Sequence, residues 1–336
     1  MQSQADLMPP SSASPSDPLL RVEGLHVSFR HPVDPPTEAL RGIDLTIERG
    51  EMVGLVGESG AGKTTLARAI MGLVPQPGRI DAGTISFRGQ VMADLGDDAL
   101  RAIRGRNLAM VIPNPRSELN PVLTVGEQIG NVVRHHLGLG RSAARAAALD
   151  MLKAVSIPDP ARRLDAYPHE LSGGMAQRVV IAIALACSPA FVISDDATSG
   201  LDVTVQAQIL DLLRTLIRAK DSSALFITRD IAITAHFCDR IVVLYAGEVV
   251  EVATVDTFFD RPTHPYSLML LAAFSHSADL RRRWTVPPDE TLPGAGEGCV
   301  FAPRCVRRQP RCTSEHPALR RLGDARAVRC HFPVGI

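Results

Sequence analysis

Apolar and polar positions divide this chain into short buried runs and helical periods. Met52-Val-Gly-Leu-Val56 is an unbroken apolar run of strand length. After a glycine-rich turn, Leu66, Ala67, Ile70 and Leu73 recur at helical spacing, which predicts a helix over 64–73 with one buried face. Segments 20–29 and 42–47 alternate, predicting antiparallel strands on either side of a proline-rich loop at 31–36. Further strands are predicted at 84–87 and at 108–112, the second stopped by Pro113. Between 125 and 171 the period turns helical, with an Ala- and Arg-rich segment at 141–155. Runs 191–194 and 224–228 are short, apolar and separated by helical stretches, the pattern of a parallel sheet. The expected fold is α/β: a parallel-sheet core, an antiparallel β subdomain and a helical insertion at about 115–185.

Length and composition change this picture little. A chain of 336 residues holds one large α/β domain and a smaller appendage. The expected divisions are a disordered tail at 1–18, rich in Ser, Pro, Ala and Gln, a main domain at 19–255, and a cysteine-rich extension at 256–336. Formal net charge is zero, and there is no long basic block, so nucleic acid is not expected as a partner. The longest apolar run, 179–193, is interrupted by Ser188 and Pro189 and is too short to cross a bilayer. The N-terminus has neither a basic start nor an apolar signal core, and the expected location is the cytoplasm.

The candidate chemistry begins directly after the first buried run. Gly57-Glu58-Ser59-Gly60-Ala61-Gly62-Lys63-Thr64-Thr65 fits the phosphate-loop pattern G-x-x-x-x-G-K-[ST] between a strand and a helix. Glycines let successive N–H groups converge on phosphate, Lys63 adds positive charge for the β and γ phosphates, and Thr64 offers a hydroxyl to Mg²⁺. Asp195, ending the apolar run 191–194, is the second expected Mg²⁺ ligand. His31, in the proline-rich loop, is a candidate to stack on the base. Leu171-Ser-Gly-Gly-Met-Ala-Gln177 precedes an apolar helix, which Ser172 is placed to cap while Gly173 and Gly174 let backbone approach a phosphate.

Phosphate loop, Ser172-Gly173-Gly174 and strand-end Asp195 occur in the order of the ATP-binding subunits of ABC transporters, which this chain resembles from about residue 20 to its end. Asn114-Pro-Arg-Ser-Glu-Leu-Asn-Pro121, Tyr167-Pro-His-Glu-Leu-Ser-Gly-Gly-Met175, Leu244-Tyr-Ala-Gly-Glu-Val-Val-Glu251 and His264-Pro-Tyr266 are similar to segments of its oligopeptide, dipeptide and nickel importer branch. The resemblance implies ATP and Mg²⁺ as cofactors. It also implies a head-to-tail dimer with a homologous ATPase, in which the signature of one chain and a loop such as Ser199-Gly-Leu-Asp202 close on ATP held by the other. Two transmembrane permeases and an extracytoplasmic solute-binding protein complete the implied importer, with this chain peripheral on the cytoplasmic face of the inner membrane.

Three positions depart from the family pattern, and all concern hydrolysis. Pro113 stands where the family has a glutamine that reaches Mg²⁺ and the attacking water. Asp196 replaces the glutamate that polarises that water and is one methylene shorter. Arg229 replaces a histidine that contacts the γ phosphate, and its permanent charge cannot imitate a neutral imidazole. The expectation is a site that holds ATP but hydrolyses it poorly, paired in a heterodimer with a competent homologue. A regulatory pseudo-ATPase and a soluble ABC ATPase outside transport are the alternatives.

Of six cysteines, Cys187 and Cys238 lie in apolar surroundings as packing residues. Cys299, Cys305, Cys312 and Cys330 are separated by five, six and seventeen residues. A reducing compartment disfavours disulfides, and spacing alone leaves Zn²⁺ and an iron–sulfur cluster open. The resemblance to the C-terminal extension of peptide-importer ATPases implies a [4Fe-4S] cluster.

Overall fold

The computed structural model describes residues 17–30, 35–274, 278–284, 297–323 and 326–335. Residues 1–16 of the expected tail and His31 lie outside them. The described strands, in chain order, are β1 (Leu20–Phe29), β2 (Thr37–Ile47), β3 (Met52–Val56), β4 (Gly78–Phe87), β5 (Gln90–Val91), β6 (Leu108–Val111), β7 (Phe191–Asp195), β8 (Ser223–Thr228), β9 (Arg240–Tyr245), β10 (Glu248–Thr254), β11 (Arg320–Gly323) and β12 (Arg326–Val328).

One sheet of eight strands, in the order β11-β12-β10-β9-β3-β8-β7-β6, forms the centre. Strands β9, β3, β8, β7 and β6 run parallel. Helices and the second sheet cover this parallel part on both faces, so every residue of β3 and β7 is buried. That is why these strands read as unbroken apolar runs. Side chains alternate across the pleat: Val53 and Leu55 join one core with Leu20, Val22, Leu40, Leu66 and Ile70. Met52, Val192 and Ala224 join another with Ile129, Leu152, Ile181 and Leu213 from the helical side. The second sheet, β2-β1-β4-β5, is antiparallel and lies over the first of these cores. The α/β architecture is therefore the one expected.

Local boundaries differ where glycine intervenes. The helix after the phosphate loop spans Lys63–Ile70 and stops short of Leu73. Gly72 takes φ 62°, which turns the chain out of the helix. Leu73 is consequently 50% exposed and does not extend the buried face. The insertion contains helices Val125–Leu137, Arg141–Ala154 and Gly173–Leu185. The first begins with a capping box: Glu127 N–H donates to Thr124 Oγ1 at 3.3 Å, and Thr124 N–H donates to Glu127 Oε2 at 2.8 Å.

The cysteine-rich extension is continuous with the central sheet. Strand β12 pairs antiparallel with β10 through Glu251 opposite Val328 and Val252 opposite Ala327. Glu251 is fully buried and accepts hydrogen bonds from Thr263 N–H (2.7 Å), Thr263 Oγ1 and His264 N–H (2.8 Å). A buried carboxylate with this many donors fixes the start of the extension. Glu251→Ala strands those donors and is expected to lower unfolding stability by about 3 kcal/mol in denaturant titration. An unchanged midpoint would show that the network anchors nothing.

Candidate functional site

Strand β3 delivers the glycine-rich loop to the end of the parallel strands, where open α/β sheets place their ligands. Two of its glycines are required by contact. A Cβ on Gly57 (φ 155°) would lie 2.2 Å from the Leu244 carbonyl oxygen, and one on Gly62 (φ 104°) would lie 2.6 Å from that of Ala39. Strands β9 and β2 therefore press the loop into shape from outside. From inside, Lys63 Nζ donates to the carbonyls of Gly57 at 2.7 Å and Glu58 at 2.8 Å. An ammonium has three N–H groups, so one remains for a phosphate oxygen.

Residues 59–65 line a cleft of about 300 Å³ together with Asp195, Asp196, Thr228 and Arg229. Thr64 Oγ1 donates to Asp195 Oδ1 at 3.2 Å, so hydroxyl and carboxylate stand side by side, a pair suited to Mg²⁺. Burial lowers the Lys63 ammonium below its ordinary range, against the pull of Asp195 and Asp196. Burial likewise pushes the Asp195 carboxyl up, opposed by the Thr64 hydrogen bond. Both charges are disfavoured in the free cleft, and a bound cation and polyphosphate supply the compensation.

Of the three departures, the structure brings two together. Asp196, at φ 47°, turns its carboxylate back into the cleft, where Arg229 Nη2 donates to its Oδ2 at 3.2 Å. The Asp196 carboxylate is thus engaged by a guanidinium. Pro113, beyond β6, does not line this cleft. Nor do Ser172, Gly173, Gly174 and Asp202. Ser172 caps the helix Gly173–Leu185, accepting from Met175 N–H at 3.3 Å, and Asp202 caps Val203–Ala219, accepting from Val205 N–H at 2.9 Å. Phosphate loop and signature of one chain line different surfaces.

Cys299, Cys305, Cys312 and Cys330 line a single cavity of about 10 Å³, the space of roughly one water. All four are free thiols. Burial, with their mutual repulsion adding to it, pushes Cys299 up to about 12. Burial raises Cys305 to about 11. Among the described residues, no three His, Cys, Asp or Glu side chains converge closely enough to hold a metal ion. The cysteines expected to bind a metal therefore share a cavity without forming a ready-made cage. Cys187 and Cys238 serve as packing residues, Cys238 with its thiol raised to about 12 by burial.

Two residues of this region escaped the motif reading. Tyr266 Oη accepts from Glu58 N–H at 2.8 Å, and Arg304 holds the Glu58 carboxylate. The segments carrying them, His264-Pro-Tyr266 and Phe301-Ala-Pro-Arg304, were visible in the sequence, but contacts across more than two hundred positions leave no local pattern.

Residues 40–199 match the family profile described as ABC transporter, and 250–312 match that of the oligopeptide/dipeptide transporter C-terminal region. The chain is 42% identical over 319 residues to the dipeptide transport ATP-binding protein of Escherichia coli, covering 94% of this chain and 97% of that one. This chain belongs to the ATP-binding subunits of ABC transporters. Its counterpart in Bacillus subtilis is 40% identical, with 93% of this chain and 94% of the relative covered. Among solved structures, the ABC subunit is similar to a dimeric ATP-binding cassette in a post-hydrolysis state with ADP and Pi (TM-score 0.63, 28% identity, 70% of this chain and 98% of that one). It is also similar to a cassette of an ABC transporter complex from Clostridium perfringens (TM-score 0.61, 26% identity, 73% and 92%). ATP and Mg²⁺ are the cofactors of this family, and the cleft beside Lys63, Thr64 and Asp195 has the donors to take them.

The raised Asp195 carboxyl gives a test with a defined sign. Folding favours its protonated form, so ionisation costs stability as pH rises from the ordinary carboxylate range through the raised value. That cost is present at neutral pH and disappears in acid. Asp195→Asn is expected to raise the thermal midpoint of the nucleotide-free subunit at pH 7 and to abolish Mg²⁺-dependent tightening of ATP binding. A lowered midpoint with Mg²⁺ dependence retained would contradict both halves.

Proposed function

We propose that this ABC subunit powers an importer for peptides or related small solutes from the cytoplasmic face of the cell membrane. The observation that carries the reading is the joint match of an ABC ATPase and an oligopeptide/dipeptide C-terminal region in a chain 42% identical to a dipeptide transport ATPase. Among the described residues no helix is long and apolar enough to cross a membrane. In this reading, two permease subunits form the path and a solute-binding protein delivers the cargo. Reconstituted with them in liposomes, the subunit supports ATP-dependent dipeptide uptake that Lys63→Ala abolishes. Uptake indifferent to Lys63→Ala would refute its part in transport.

The chain binds MgATP through the loop N–H groups, Lys63, Thr64 and Asp195, and turns it over poorly. Support comes from the Asp196–Arg229 pair at 3.2 Å, which occupies the carboxylate in the water-activating position, and from proline at 113, which has no side-chain polar atom. The separation of Ser172 to Gly174 from their own cleft favours a head-to-tail dimer in which they complete the site of a homologous, competent ATPase. ATP binding then closes the dimer, and hydrolysis at the partner's site reopens it. The combined changes Pro113→Gln, Asp196→Glu and Arg229→His are expected to raise turnover at this site about a hundredfold. No gain in single-turnover rate would show that these positions do not limit hydrolysis.

In this reading the four cysteines would close on an iron–sulfur cluster as its donor set, with Zn²⁺ as the alternative; what supports a metal is four thiols around one cavity. Iron and acid-labile sulfide in equal amounts after anaerobic purification are expected, and stoichiometric zinc without sulfide would reverse the assignment.

A further inference from the structure

The phosphate loop is gripped from behind by the C-terminal extension, and one residue carries the grip. The Glu58 carboxylate does not line the nucleotide cleft. It meets Arg304 in a two-point pair, Nη1 to Oε2 at 2.6 Å and Nη2 to Oε1 at 3.0 Å. The Glu58 N–H donates to Tyr266 Oη at 2.8 Å, while its carbonyl accepts from Lys63 Nζ at 2.8 Å. Every polar group of Glu58 is therefore committed, one to the phosphate-binding lysine and two to residues beyond 255.

Arg304 is itself held. Its guanidinium lies 6.0 Å from the centre of the Tyr245 ring, which packs on Tyr266 at 4.6 Å and edge-on to Phe301 at 5.2 Å. The turn Ala302–Arg304 is closed by Ala302 N–H to the Cys299 carbonyl (2.9 Å) and Cys305 N–H to the Ala302 carbonyl (3.2 Å). Arg304 thus joins the wall of the thiol cavity to the back of the phosphate loop.

The chemistry gives this link a purpose. A carboxylate beside a polyphosphate site repels its ligand, and a forked guanidinium both neutralises that charge and fixes its direction. We propose that Arg304 is a positioning residue of the ATP site: by clamping Glu58 it couples the folded state of the four-cysteine extension to ATP affinity. The coupling is reciprocal, so ATP also tightens the extension. The inference rests on ATP binding at the phosphate loop and is independent of the transported solute.

Calorimetric ATP binding to the full chain, with hydrogen exchange of 299–312 as a second readout, tests it. Arg304→Ala is expected to weaken ATP binding about tenfold, within the usual range of coupled sites. Arg304→Lys recovers only part of the loss, because an ammonium cannot fork. Added to Arg304→Ala, Glu58→Gln recovers most of the lost affinity, because the uncompensated charge is gone. ATP slows exchange in 299–312 of the native chain and does so in neither single variant, Arg304→Ala or Glu58→Gln. Lys63→Ala, which removes binding itself, separates loss of the site from loss of coupling. Native ATP affinity in Arg304→Ala, failure of Glu58→Gln to relieve the defect, or ATP protection that persists without the clamp would each overturn the proposal.

Discussion

Lys63 closes the phosphate loop on itself, and most of the molecule is arranged so that it can. Its two bonds to the Gly57 and Glu58 carbonyls need those groups turned inward, a direction available only because Gly57 and Gly62 have no side chains to meet β9 and β2. The buried strand β3 brings the loop to this place, and the helix Lys63–Ile70 starts where it ends. Tyr266 and Arg304 then hold Glu58 from the far side. The loop's shape is a product of both sheets and of the C-terminal extension as much as of its own glycines.

This arrangement keeps charges where burial disfavours them. Lys63 and Asp195 both sit in a cleft that shifts them toward their neutral forms, while Asp196 has taken Arg229 as a partner. A free site with disfavoured charges gains from binding MgATP, which is the usual exchange of stability for function. Hydrolysis needs something more: an unengaged carboxylate aimed at water. Under the proposed function, the Asp196–Arg229 pair at 3.2 Å stands in its place. In the proposed reading binding and turnover depend on different residues: Lys63, Thr64 and Asp195 on one side, Asp196 and Arg229 on the other.

The sequence displayed the core because the parallel strands are buried on both faces and read as apolar runs, as 52–56, 191–194 and 224–228 do. The phosphate loop and the signature were legible for a similar reason, since their chemistry is local. Leu73 misled because a helical period continues past Gly72, where positive φ ends the helix. Strands β11 and β12 were missed, being short, arginine-containing and stabilised by pairing with β10. The Arg304–Glu58 contact spans 246 positions, so tertiary packing alone creates it.

In the proposed cycle this subunit holds ATP while a homologous partner hydrolyses it. Steady-state ATP hydrolysis by the complete complex, after the partner's catalytic glutamate is changed to glutamine, tests it most directly. The account predicts that turnover collapses while ATP still binds at Lys63. Substantial turnover that vanishes only when Asp196→Asn is added would show that Asp196 and Arg229 form a working variant site, and would contradict the account.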